Sequence, residues 1–149
     1  MAQVRIIETV DWKLALPADW RDAEETSAGE RYFESQDGTK GLYVGSWEVS
    51  SDNPSVEAAL QSFLETEEKA NKTMQDSRWV LMENTVGKDS TSAFADWYDK
   101  RKQYRIATKI IVQLPIVVKA TLHDYDCADY EKSKRYFEAL VRSLSVQPA

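Results

Sequence analysis

Apolar and polar residues alternate with period two at the start of the chain. Trp12, Leu14 and Leu16 alternate with Lys13 and Ala15, the pattern of a strand with one buried face. Val4 to Glu8 reads as its hairpin partner, joined around Asp11, and Pro17 closes the pair. Residues 17–30 are acidic and read as a loop or one short turn of helix. Arg31 to Ser35 and Gly41 to Ser50 are strands on either side of Gln36-Asp37-Gly38-Thr39, because Asp-Gly favours a tight hairpin. The return strand puts Leu42, Val44, Ser46 and Glu48 on one face and Tyr43, Gly45, Trp47 and Val49 on the other.

The period then lengthens. Val56, Leu60, Phe63, Glu67, Ala70 and Met74 recur at steps of three and four, with Ala59 and Leu64 beside them. This predicts an amphipathic helix whose apolar stripe only Glu67 interrupts. Asn53 is placed to cap it, Pro54 suits its first position, and Glu57 lies near its positive end. Trp79 to Thr85 is a strand turned at Gly87-Lys88. Ala93 to Tyr98 and Tyr104 to Gln113 are strands flanking the turn Asp99-Lys100-Arg101-Lys102. Ile116 to Tyr125 is a strand with Val118, Ala120, Leu122 and Asp124 alternating against Val117, Lys119, Thr121 and His123. Pro115 before it marks a hairpin connection. A second helix is expected from about Asp126 to Leu144, with Asp126 and Asp129 at a capping-box-like spacing. Its buried stripe is Ser133, Phe137, Leu140 and Leu144, widened by Tyr130 and Val141.

The order β-β-β-β-α-β-β-β-β-α with short turns predicts an α+β domain over residues 1–149. Short turns make the strands antiparallel, so the expected architecture is a single antiparallel β-sheet of about six to eight strands with two amphipathic helices.

Two stretches carry a further pattern: Trp12-Lys13-Leu14-Ala15-Leu16-Pro17-Ala18-Asp19-Trp20, and the closing stretch Ser133 to Ser143, with Tyr136-Phe137 and Leu140-Val141 and then Leu144. Together with the element order they resemble the PsbP-like group, which includes DcrB-like and Ran-binding Mog-like domains. The resemblance implies an α/β/α sandwich and mostly non-enzymatic, protein-binding roles: photosystem accessory subunits, a partner of a nuclear-transport GTPase, and chaperones encoded beside type VI secretion effectors. No lipoprotein or transit signal is visible, which favours the bacterial secretion-effector accessory branch over the photosystem and envelope branches. No partner-binding residue of the group maps onto this sequence.

Charge adds an asymmetry. The net charge of −6 divides into 9 Lys/Arg against 19 Asp/Glu in residues 1–96 and 10 against 6 in residues 97–149. An acidic protein has no general attraction to phosphate backbones, so nucleic acid is not the expected partner. No window reaches the roughly 18 apolar residues of a membrane span; the stretch Ile110 to Val118 is broken by Gln113 and Pro115. The expected location is cytoplasmic, with no membrane partner.

Catalytic material is scarce. One Cys and one His exclude an internal disulfide and make a Cys/His zinc site improbable. His123 and Cys127 on a continuing strand would share a face about 13 Å apart, too far for a nucleophile–base pair. Asp124, Asp126 and Asp129 lack the Gly and bidentate Glu of a calcium loop. With five Gly, no phosphate-cradling loop and no Gly-x-Ser-x-Gly elbow occur. No cofactor, metal site or catalytic residue is therefore expected. Tyr98, Lys100, Arg101, Lys102, Tyr104, Arg105 and Lys109 interleave basic and aromatic groups, a pattern that can bind single-stranded nucleic acid by stacking plus charge but better suits a solvated hairpin tip, an acidic protein partner or pairing with the chain's own acidic half.

The expectation is a non-enzymatic protein-binding module: a secretion-effector chaperone or a toxin immunity protein, whose acidic surface covers a basic effector or toxin. Trp20, Asp22, Glu24, Glu25, Trp47, Lys100, Arg101 and Lys102 are the candidate contact residues, since aromatics with charged rims make interface hot spots. Trp20 has a second reading, as a plug at the sheet edge. The alternative function is a small-molecule site or enzyme in a cavity between sheet and helix, with His123 and Asp124, or Tyr104 and Arg105, as its polar groups. A homodimer is compatible with either.

Overall fold

A computed structural model describes residues 3–23, 30–49, 55–72, 80–86 and 91–147. Its elements are β1 (Val4–Glu8), β2 (Trp12–Pro17), β3 (Arg21–Asp22), β4 (Glu30–Glu34), β5 (Lys40–Glu48), α1 (Val56–Lys72), β6 (Val80–Val86), β7 (Ser92–Asp99), β8 (Tyr104–Gln113), β9 (Ile116–Asp124), α2 (Tyr130–Val141) and β10 (Ser145–Val146). The α+β, antiparallel architecture is the one read from the pattern. The opening hairpin, however, leaves the main sheet: β1, β2 and β10 form a three-stranded sheet, beside a seven-stranded one in the order β3-β4-β5-β9-β8-β7-β6. The two-residue strands β3 and β10 are too short to leave a periodic signal.

Alternation along the central strand β9 splits the molecule into layers. Val118, Ala120 and Leu122 join Phe33, Leu42 and Val44 in a core closed by the small sheet (Trp12, Leu14, Leu16) and by Phe137, Leu140 and Val141 of α2. On the other face Leu60 and Leu64 of α1 pack on Ala93, Ala95, Ile110, Val112 and Val117. Asn53, Pro54, Met74 and the Gly87-Lys88 turn lie outside the described residues.

Helix α2 begins later than its acidic run predicts. Asp129, extended at φ −122 and ψ 102, caps it by accepting from the Lys132 amide. Asp126 is not a cap; its amide donates to Asp124 Oδ1 at 3.1 Å, a local side-chain turn that competes with helix. The helix also stops at Val141, and the Leu144 amide bonds back to the Val141 carbonyl at 3.1 Å.

A buried polar network ties α2 to the sheet. Arg105 donates from Nε to Asp96 Oδ1 at 2.9 Å, from Nη2 to Asp96 Oδ2 at 2.7 Å and from Nη1 to Ser133 Oγ at 3.0 Å. Ser133 Oγ donates to Asp124 Oδ2 at 2.6 Å, and the Tyr130 hydroxyl to Asp96 Oδ2 at 2.8 Å. Such a bidentate, fully bonded arrangement makes a buried charge tolerable.

Candidate functional site

Helix α1 covers only part of its face of the seven-stranded sheet. Beyond it, β4, β5, β8 and β9 present a row of aromatic side chains. Tyr32 stacks on Tyr43 with ring centroids 4.3 Å apart, and Tyr43 meets His123 edge-on at 5.4 Å. Tyr104 lies 5.9 Å from His123 and 5.1 Å from Tyr125. Strand register sets this row: Tyr32 is opposite Tyr43, Tyr43 opposite Thr121, and Gly41 opposite His123. A Cβ on Gly41 would fall 2.4 Å from the Tyr32 hydroxyl oxygen, so this glycine is what lets the ring lie flat across β5.

The row borders a pocket of about 250 Å³ between the sheet and α1. Tyr43 and His123 supply its aromatic wall, Gly45, Ile106 and Thr121 its floor, and Glu30, Glu67 and Lys119 its charge. Lys119 Nζ donates to Glu67 Oε1 at 2.5 Å, and the Thr108 hydroxyl lies 3.3 Å from Glu67 Oε2. The ammonium also sits 5.5 Å above the Trp47 ring. Burial pushes the His123 imidazole down to about 4, against a smaller upward pull from Glu67, so the ring is neutral near pH 7. Its Nδ1 lies 2.6 Å from the Tyr104 hydroxyl oxygen. Burial first, then neighbouring tyrosines and carboxylates, raises the Tyr32 and Tyr43 phenols. Near neutral pH the pocket thus offers uncharged rings, hydroxyls and one carboxylate in excess.

The residues expected to make one contact surface are scattered. Trp20 is 3% exposed and its Nε1 donates to the Tyr136 hydroxyl at 3.2 Å, so its ring belongs to the core and not to an exposed contact surface. Asp22 is held by Arg5 at 2.8 Å and Arg31 at 3.4 Å. Glu24 and Glu25 lie outside the described residues. Trp47 is partly exposed, 5.6 Å from Phe63 of α1, on the same sheet face as the pocket. Lys100, Arg101 and Lys102 are exposed at the tip between β7 and β8, where Asp99 Oδ1 accepts from the Lys102 amide. The basic run does not continue as a stripe: Arg105 is buried, and Lys109 Nζ donates to the Val141 carbonyl at 3.3 Å.

Two polar pairings are also corrected. His123 partners Tyr104, whereas Asp124 and Arg105 point to the opposite face of the sheet, into the α2 network. His123 and Cys127 do not share a face: β9 ends at Asp124, and Cys127 is buried in the following turn, its thiol raised chiefly by burial. No local pattern in the sequence marks Glu30, Tyr43 or Lys119 as site residues. The available signal was Glu67, a lone acid in an apolar helical stripe, opposite the polar run Lys119, Thr121, His123.

A second groove, of about 360 Å³ and mostly apolar, lies between the small sheet (Val4, Ala15, Pro17) and α2 (Tyr136, Ala139, Leu140).

The architecture is that of a PsbP-like α/β/α sandwich. The chain is similar to the solution structure of cyanobacterial PsbP (CyanoP) from Synechocystis sp., with a TM-score of 0.73 and 12% identity over 99% of this chain and 94% of that one. LpqN, involved in cell envelope biogenesis of Mycobacterium tuberculosis, is similar with a TM-score of 0.58 and 11% identity, over 98% and 91% of the two chains. A Pseudomonas aeruginosa protein of unknown function, a putative regulator, has a TM-score of 0.50 and 13% identity over 99% of each chain. No protein-family model and no curated protein matches the chain. The likeness is one of fold. Among the described residues no helix is long and apolar enough to cross a membrane.

Proposed function

We propose that this chain is a cytoplasmic, non-enzymatic protein-binding module that receives its partner on the α1 side of the seven-stranded sheet. The observation that carries this reading is the aromatic row around the pocket, Tyr32, Tyr43, His123, Tyr104 and Tyr125, fixed by strand register and by the close approach at Gly41. Large, rigid aromatics bordered by charge are the usual anchors of protein interfaces, because they bury area at little entropic cost. The net charge of −6 fits a basic partner approached under electrostatic steering, and an accessory protein covering a basic effector or toxin, as chaperone or immunity protein, is the finer reading.

Capture from native lysate tests it with three baits: the unaltered chain, Tyr43→Ala, and Ala139→Arg in the groove on the opposite face. One stoichiometric partner should be retained by the unaltered chain and by Ala139→Arg, and weakened roughly tenfold or more by Tyr43→Ala. Retention by Tyr43→Ala with loss in Ala139→Arg would overturn the docking face.

A further inference from the structure

We infer that the pocket beside α1 binds a guanidinium group, an arginine side chain presented by the partner protein. This deepens the proposed partner-binding face and rests on it. The charge of the lining decides the class of ligand. Lys119 and Glu67 are paired at 2.5 Å and cancel, which, among the described residues, leaves the Glu30 carboxylate as the uncompensated charge of the lining. An anionic ligand is therefore repelled, and a neutral one gains nothing from the excess charge.

The walls select for a cation in a second way. Tyr43, stacked on Tyr32 on one side, and His123, steeply inclined to it, are the two rings that line the space. A cation over such a ring is attracted, more strongly where water is partly excluded. The molecule already uses this device beside the pocket, where Lys119 Nζ lies above Trp47.

Shape separates guanidinium from ammonium. A planar guanidinium lies flat on Tyr43 while its fork of N–H donors meets a carboxylate side-on, and it is more weakly hydrated than an ammonium. The volume of about 250 Å³ holds roughly eight water-sized groups, room for the head and its methylene stem. The Thr121 hydroxyl and the His123 ring supply further polar contact in the floor and wall.

The test is an NMR titration of the full chain with N-acetyl-arginine methylamide, its uncharged citrulline counterpart and free arginine. The capped arginine should shift signals of Tyr43, Thr121 and His123, saturating in the millimolar range expected of one isolated side chain. The citrulline compound should bind at least about tenfold more weakly, and Glu30→Gln should weaken the arginine compound by a similar factor. Equal binding of citrulline, or no shifts around the pocket, overturns the inference. Free arginine binding tenfold tighter than the capped compound would assign the pocket to a small molecule and overturn the partner assignment. The two proposals fail separately. A partner held undiminished by Glu30→Gln, when that variant no longer binds capped arginine, overturns this inference alone. A partner indifferent to Tyr43→Ala, with arginine binding intact in the unaltered chain, overturns the docking face.

Discussion

His123 is the one histidine of the chain, so its titration is read without assignment, and its environment makes a quantitative demand. Burial lowers its folded-state pKa to about 4, and the nearby Glu67 carboxylate recovers only part of that shift. In the unfolded chain the imidazole titrates near 6.5. Below that value the unfolded state binds the proton more readily, so the folded state loses stability as the pH falls. The contribution is complete above about pH 6.5 and is lost progressively towards pH 4. With these two values the loss at pH 5 is about 2 kcal/mol, and it approaches about 3 kcal/mol at lower pH. The assay is an NMR titration of the imidazole, together with urea unfolding of the unaltered chain and His123→Gln at pH 7 and pH 5. The midpoint should lie near 4, and the unaltered chain should lose about 2 kcal/mol more than His123→Gln between the two pH values. A midpoint near 6.5, or equal losses in both proteins, would refute the picture of a neutral, desolvated ring.

Three further substitutions probe how the fold presents the site. Arg105→Ala leaves the Asp96 carboxylate buried without its bidentate partner and should cost roughly 3–5 kcal/mol in urea unfolding. Asp129→Ala removes the cap of α2 and should cost about 1 kcal/mol, with far-UV circular dichroism showing the helix otherwise retained. Gly41→Ala pushes the Tyr32 ring off β5. It should cost roughly 1–3 kcal/mol and move the Tyr43 ring signals, while core methyls near Phe137 stay in place.

Much of the scaffold was legible because periodicity reports burial. The alternation in Ile116 to Tyr125 separated the two faces of the central strand correctly, and the part of the helical stripe formed by Val56, Leu60 and Phe63, with Ala59 and Leu64 beside it, gave α1 its buried side. What was not legible depends on contacts distant in sequence. Nothing in the Trp12 hairpin reveals that it pairs with Ser145 and Val146 instead of joining the main sheet. Trp20, flanked by polar residues, looks exposed until Tyr136, far along the chain, is seen to cover it. The pocket had a faint trace in Glu67, a polar residue in an otherwise apolar stripe. Its partner Lys119, and the tyrosines from β4, β5 and β8, come together only through strand register, which no local pattern encodes.

The account turns on which face of the sheet the partner occupies. Chemical-shift mapping of the labelled chain with its captured partner addresses this most directly. The account predicts that the perturbed residues cluster at Tyr32, Tyr43, Thr121 and His123, with Glu30 at their edge. Perturbations concentrated instead at Val4, Ala15, Ala139 and Leu140, with the aromatic row unchanged, would contradict it.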